Sequence, residues 1–357
     1  MTLQEALERI KGASPAALDG CRSRWNAVAK PLNSLGLLET LTIRMAGIQG
    51  TDMPHMHKPR VLVFCADNGV VAEGVTQSDS SVTAAVAGSL AEGCSNVNIM
   101  ARVAGADVVT YDVGMLTDVE HPALHRVKCA YGTKNLAKGP AMRREEAIFA
   151  LEAGIHAVED AMAEGCDLLV AGEMGIGNTT SSTAVMCALL GLDPAVVTGR
   201  GSGLDDAGLR RKQAAIRSCL DLNKPDPNVA MDVLCKCGGF DIAAMCGVYL
   251  GGAALGIPVV LDGLISGAAA LLAWRFVPAA ADALLPSHMS KEPGGSLALE
   301  ALGLRAPIVA DMALGEGTGG VALLPLLAMA LAELSGGHSF DSLGMDAYVP
   351  QTGEARA

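Results

Sequence analysis

The chain has 357 residues, half of them hydrophobic but only 3% aromatic, with 42 glycines and a formal net charge of −12. That length allows one large domain with an appendage or two domains, and high apolar content with moderate charge excludes a disordered chain. The acidic balance argues against a nucleic-acid partner, because affinity for a phosphate backbone comes mainly from Lys and Arg.

Residues 1 to about 50 read as helical, with mixed charge and no strand signal. The opening MTLQEALERIKGAS is a charged amphipathic helix rather than a signal peptide. His55-Met-His57 follows; the pair could touch a metal, although a solvated loop is the stronger reading. Then one grammar repeats: an apolar strand, a glycine turn with a polar residue, and a helix. It occurs in Arg60-VLVFCADNGVVAEGV, Asp107-VVTYDVGM, Asp167-LLVAGEMGIGNTTSS and Ile257-PVVLDGLISGAAALLAW, with a weaker fifth instance starting at Ala306-PIVAD. Alternation of this kind predicts an α/β protein with a mostly parallel sheet. The polar turns carrying Asp67, Asn68, Asp112, Glu173, Asp262 and Glu316 then fall at the carboxyl ends of strands, where such sheets bind ligands.

The uncharged run Ile242 to Leu261 is as long as a membrane span. Its four glycines and Pro258 predict instead a buried helix to about Leu255, a turn at Gly256 and a strand over 258–261. The tail from about 331 reads as helical and then polar. It could pack with residues 1–50 as a small helical domain, leaving 51–330 as the large α/β domain. Ten cysteines without a C-x-x-C pair read as reduced, buried thiols of a cytosolic protein.

Among candidate groups, Glu316 lies in a glycine turn between apolar residues, where burial would suit it to general-base work. A helix cap or a solvated turn is the competing reading. Glu173 could support a developing positive charge or only favour the start of a helix. Gly175, Gly177, Asn178, Thr179 and Thr180 could cradle a phosphate, although there is no lysine of a nucleotide-triphosphate loop. The run with Gly201, Ser202 and Gly203 brings Arg200, Arg210, Arg211 and Lys212, which could supply cations or form a solvated helix face. His288, Ser290, Lys291 and Glu292 surround a Pro-Gly turn, but no nucleophile elbow supports a serine hydrolase. No G-x-G-x-x-G follows the first strand, which disfavours a dinucleotide-dependent dehydrogenase.

Taken together, ADNGVVAEGV, GEMGIGNTT, the block from Gly238 to Leu271, SHMSKEPGG and LGEGTGGVALLPLL resemble, in order, the nicotinate-nucleotide–dimethylbenzimidazole phosphoribosyltransferase (CobT) family. The resemblance spans roughly residues 60 to 330. It implies a Rossmann-like large domain with a small helical one, usually in a dimer. It also implies transfer of 5-phosphoribose from nicotinate mononucleotide to an aromatic base in cobamide (vitamin B12-type) assembly, without metal or cofactor. Glu316 would be the general base and Glu173 the second catalytic acid. Asp262, Ser290, Gly317 and Gly319 would join the phosphate and ribose contacts, and Asp67, Ser80, Met174 and Leu314 the acceptor side. The chain departs from the family pattern at Asn68 and at Ser78-Asp79-Ser80, which implies an altered acceptor, phenol or p-cresol included. A partner subunit is also implied, identical or paralogous, with a weakly active subunit of a hetero-pair as the alternative.

Overall fold

The computed structural model describes residues 1–349, so residues 350–357 of the expected terminal segment lie outside it. Three helices open the chain: α1 (Leu3–Arg9), α2 (Pro15–Ala27) and α3 (Leu37–Gln49). Then come β1 (Pro59–Ala66), α4 (Ser81–Ala91), α5 (Asn96–Ala104), β2 (Asp107–Gly114) and β3 (Leu124–Arg126). The middle of the chain forms α6 (Arg144–Ala163), β4 (Leu168–Met174), α7 (Asn178–Leu190), α8 (Pro194–Val197), α9 (Asp206–Asn223) and α10 (Ala230–Cys237). It continues through α11 (Phe240–Leu255), β5 (Val259–Val260), α12 (Leu264–Phe276), β6 (Leu284–Leu285), α13 (Pro293–Ala301) and α14 (Thr318–Gly336).

The six strands form one sheet in the order β3-β2-β1-β4-β5-β6, and every pairing is parallel. Central β1 is buried along its whole length between β2 and β4. Because side chains alternate across a strand, it feeds two cores. Leu62 and Phe64 pack on the face covered by α6, α11 and α12, while Val61, Val63 and Cys65 pack on the face covered by α5 and α14. Burial on both faces is what gives the strands their unbroken apolar runs. Helices α6 and α11 pack backbone to backbone. A Cβ at Gly154 would collide with the carbonyl oxygen of Ala244, and one at Gly247 with that of Leu151.

The expected turn at Gly256 is a left-handed helix cap (φ 72°) between α11 and β5. Three features differ from expectation. Strand β3, three residues long, falls in a segment with no strand signal in the sequence. The segment at Ala306 forms no strand; it makes only an isolated bridge between Ile308 and His288. Val309 is 72% exposed, so this segment has no second covered face. The sheet edge is taken instead by β6, whose two residues are too few to show a periodicity. The polar turns also do not all converge on one cleft. Asp112 is fully buried beside Lys128, at 3.1 Å, and its Oδ1 accepts from Gly114 N and Met115 N.

At the chain ends, Cys21, Trp25 and Val28 share a small core with Ala46 of α3 and with Ala330 and Leu334 of α14. Val28 and Ser339 make an antiparallel bridge. Helix α1 instead joins the main core through Leu3 and Ala6. Among the described residues α14 alone is long and apolar enough to cross a membrane, and here it packs on α3, α5 and β4. The ten cysteines are free thiols, Cys94 exposed, Cys129 and Cys235 half-buried and the others buried.

Candidate active site

A cleft opens beyond the carboxyl ends of β4 and β5. Its walls are the segment Glu173–Thr179, the loop at Gly201 and Ser202, residues Asp262–Ser266, His288 with Ser290 and Glu292, and the turn Ala313–Glu316. Val75 and Thr76, after β1, close one side.

Glu316 stands in an unusual stretch of backbone. Its φ is +60°, between Gly315 at +92° and Gly317 at +90°. A side chain held in the left-handed region costs about 1–3 kcal/mol and tends to mark functional positions. The conformation is held by close fit: a Cβ at Gly172 of β4 would come within 2.5 Å of the Glu316 carbonyl oxygen. Both carboxylate oxygens are anchored at the start of α5, Oε1 by the Asn96 side-chain amide and Oε2 by the Val97 N–H, each at 3.0 Å.

Glu173 has a different environment. It is 7% exposed, next to the last residue of β4. Burial, and then the neighbouring Asp241, push its carboxyl up to about 8. The Asn178 amide, on the first turn of α7, donates to Glu173 Oε2 and to Asp241 Oδ2 (2.8 Å). Asp241 is fully buried, and burial pushes it up to about 6. At neutral pH this wall therefore holds a proton on Glu173.

Asp262 caps α14. Its Oδ2 accepts the Gly317 N–H at 3.1 Å and its Oδ1 the Gly319 N–H at 2.7 Å. Its own N–H donates to Ser266 Oγ at 2.8 Å, which meets the Tyr249 hydroxyl at 2.6 Å. His288 lies against it, with Nδ1 4.0 Å from Asp262 Oδ1 and 3.1 Å from Ser287 Oγ. A Cβ at Gly319 would collide with the His288 ring, so the first glycine after Thr318 is required by this packing.

A phosphoribosyltransferase family model matches residues 10–345. The nicotinate-nucleotide–dimethylbenzimidazole phosphoribosyltransferase of Ruminiclostridium cellulolyticum is 41% identical over 350 residues, covering 98% of this chain and 99% of that one. The chain belongs to this family, the CobT phosphoribosyltransferases. The enzyme of the same name from Roseiflexus sp. strain RS-1 is 42% identical over 348 residues, 97% of this chain and 99% of that one. The crystal structure of CobT from Thermus thermophilus superposes with a TM-score of 0.89 at 42% identity, covering 93% of this chain and 99% of that one.

Within this CobT-family cleft, most of the residues singled out in the sequence face the same space. Glu173, Met174, Gly175, Gly177, Asn178 and Thr179 line it from one side; Gly201, Ser202, Asp262, Ser290, Leu314 and Glu316 line it from the others. Others do not reach the cleft surface as expected. Gly317 and Gly319 lie behind it, their N–H groups occupied by Asp262. Gly203 is turned to Gln77, whose side-chain amide donates to its carbonyl. Lys212 is fully buried beneath the Gly201 loop, donating to Thr179 Oγ1 (2.8 Å) and the Gly199 carbonyl (3.2 Å). Burial pulls its ammonium down to about 8. The neighbouring Arg200 and Arg211 are engaged elsewhere, on the Leu204 and Gly74 carbonyls.

Asp67 and Ser80 sit beside the cleft. Asp67 Oδ2 accepts the Leu116 N–H at 2.8 Å, and its Oδ1 is buried without a partner. Burial raises the Asp67 carboxyl, opposed by the Leu116 N–H and the nearby Thr83 and Ser80 hydroxyls. Sequence reasoning misses Asp241, Asn96, His288 and Glu292 as parts of the site. The motif SHMSKEPGG contains two of them, but raises them only in the context of a hydrolase. Glu292 Oε1 accepts the Gly201 N–H at 3.1 Å, while its buried Oε2 lacks a partner.

Proposed function

We propose that this enzyme moves the 5-phosphoribosyl group of nicotinate mononucleotide onto an aromatic acceptor, giving an α-riboside 5-phosphate and nicotinate for cobamide lower-ligand assembly. The carrying observation is the pair of unlike carboxyls lining one cleft, Glu316 anchored at a helix start and Glu173 buried with its pKa pushed up to about 8.

The C1′–N bond to nicotinate breaks with its electron pair going to the pyridinium nitrogen, which becomes neutral. The acceptor attacks C1′ from the opposite face, and Glu316 takes the acceptor's proton. With the cationic donor bound beside it, Glu173 gives up its proton to solvent, and its carboxylate, with Asp262 nearby, favours the positive charge that develops on the ribose, an effect strongest where water is excluded. The 5′-phosphate is assigned to the N-terminus of α7, with Gly175, Gly177, Thr179, Gly201, Ser202 and Ser290 around it. Lys212 supplies charge from below, through Thr179.

Dimethylbenzimidazole is the acceptor named for the relatives. We extend the range to phenol and p-cresol because Ser80, beside Asp67, leaves more room than a longer side chain would. A dimer with itself or with a paralogous chain is part of the proposal; exposed Ile99 and Val103 on α5 and Met329 on α14 support a partner surface. Free thiols support a cytoplasmic site.

The test is a product assay with nicotinate mononucleotide and, separately, dimethylbenzimidazole, adenine, phenol and p-cresol, read by mass. An α-riboside phosphate lost in Glu316→Gln supports the reading. No product from folded protein with any acceptor overturns it for the single chain.

A further inference from the structure

At the opposite end of the sheet from the cleft, the loop between α3 and β1 brings His55 and His57 against Asp167, the residue before β4. Each offers one ligand atom, and those atoms lie within 4.8 Å of one another. His57 Nδ1 is 3.1 Å and His55 Nε2 3.9 Å from Asp167 Oδ2. The two rings are 4.9 Å apart at centroid and tilted by 32°. In a tetrahedral zinc site with bonds near 2.0–2.1 Å, neighbouring ligand atoms are about 3.3 Å apart. The two nitrogen–oxygen separations bracket that value.

The backbone that carries the cluster is already fixed. Gln49 holds His55 from both sides, its amide donating to the His55 carbonyl (2.8 Å) and its oxygen accepting the His55 N–H (3.0 Å). The same amide reaches the Asp167 carbonyl at 3.3 Å. The Asp167 carboxylate is oriented by the N–H groups of His57 (2.7 Å) and Lys58 (3.0 Å). The neighbouring ammonium of Lys58 points away, onto the Glu164 carbonyl. Closing the rings onto an ion therefore needs side-chain rotation, with no change in the loop. The His57 and His55 side chains are 78% and 44% exposed, so an ion can enter and keep a water in its fourth position.

We propose that His55, His57 and Asp167 form a surface site for a divalent first-row metal ion of the zinc class. The donor set is two imidazoles and a carboxylate, a set that suits zinc and disfavours magnesium or calcium, which take oxygen ligands. The ion would pin the entry to β1 onto the entry to β4. Those are the two strands whose far ends carry Asp67 and Glu173. It lies outside the catalytic cleft and takes no part in phosphoribosyl transfer.

The test uses full-length protein without a histidine tag, titrated with Zn²⁺ by calorimetry and with Co²⁺ by visible absorption. The expected result is one equivalent bound, with a tetrahedral-type Co²⁺ spectrum and a rise in Tm with added Zn²⁺. His55→Ala and His57→Ala would each weaken binding by about tenfold or more, and the double variant would abolish it. Both residues are on the surface, so an unchanged Tm without metal establishes that the variants fold. Zn²⁺ binding that survives in the double variant would locate the ion on other groups, such as the exposed Cys94 beside Glu92, and overturn the proposal. So would the absence of stoichiometric binding to the parent chain.

Discussion

The side-chain amide of Asn178 links two buried acids, Glu173 and Asp241, that belong to different elements of the fold. One amide group cannot neutralise two carboxylates in an apolar surround, so one acid keeps its proton. Glu173 has the higher pKa and is that acid.

Binding a cationic pyridinium nucleotide next to Glu173 would favour its ionised form. At pH 7, nicotinate mononucleotide is therefore expected to bind with release of part of a proton. Calorimetry in buffers of different ionisation enthalpy measures this directly. Glu173→Gln should remove the release, and an unchanged proton count in that variant would contradict the assignment.

The same shift makes the free protein's stability depend on pH. The folded state keeps a proton on Glu173 up to about pH 8, whereas the unfolded chain loses it near the ordinary value of 4.5. Between those values the native state binds more protons, so this group lowers stability as pH rises. Glu173→Gln should therefore unfold at higher denaturant than the parent at pH 8, by on the order of 2–4 kcal/mol, and show a smaller difference at pH 5. Lys212 acts in the reverse sense. Its folded pKa is lowered to about 8 from 10.5, so its contribution to stability increases with pH across that range.

Glu316→Gln keeps the shape of the side chain and an acceptor for the Val97 N–H. Loss of the base alone is expected to lower kcat by about 10²–10⁴-fold with little change in KM. Steady-state nicotinate release gives both constants. A rise in KM with kcat preserved would assign Glu316 to binding instead.

Ser80→Gln should add length on the acceptor side. The expected result is a shift of about tenfold in the ratio of benzimidazole product to phenol product, measured by competition in one reaction. No change in that ratio would remove Ser80 from acceptor selection.

Trp25 is 1% exposed, and its Nε1–H donates to Thr42 Oγ1 at 2.8 Å in the small core that joins the chain ends. Trp25→Ala should cost about 3–5 kcal/mol in urea unfolding. Trp25→Phe, which keeps most of the ring contacts, should cost less.

The sheet and most of the cleft are legible in the sequence because strands buried on both faces leave unbroken apolar runs, and their glycine turns stand at the ligand-binding end. The short β3, β5 and β6 show the limit of that signal: β5 is found through its neighbouring turn, and β3 and β6 are not found at all. The anchors of Glu316 come from Asn96 and Val97, about 220 positions earlier in the chain, so spacing cannot reveal them. Lys212 reads as part of a solvated basic face because Arg210 and Arg211 precede it. A helical count places it correctly, since it falls on the stripe of α9 with Gly208, Ala215, Ile216 and Cys219, all buried.

Two helices, α7 and α14, point their amino ends at this cleft, and they are not equivalent. Asp262 already occupies the start of α14 with its own carboxyl, while the start of α7 faces the cleft between glycines. A phosphate held as proposed, at the start of α7, would lie away from the carboxyl that occupies the start of α14. On the proposed phosphate assignment the cleft has a direction of entry: a nucleotide turned end for end would set its phosphate against the Asp262 carboxyl instead of the open start of α7.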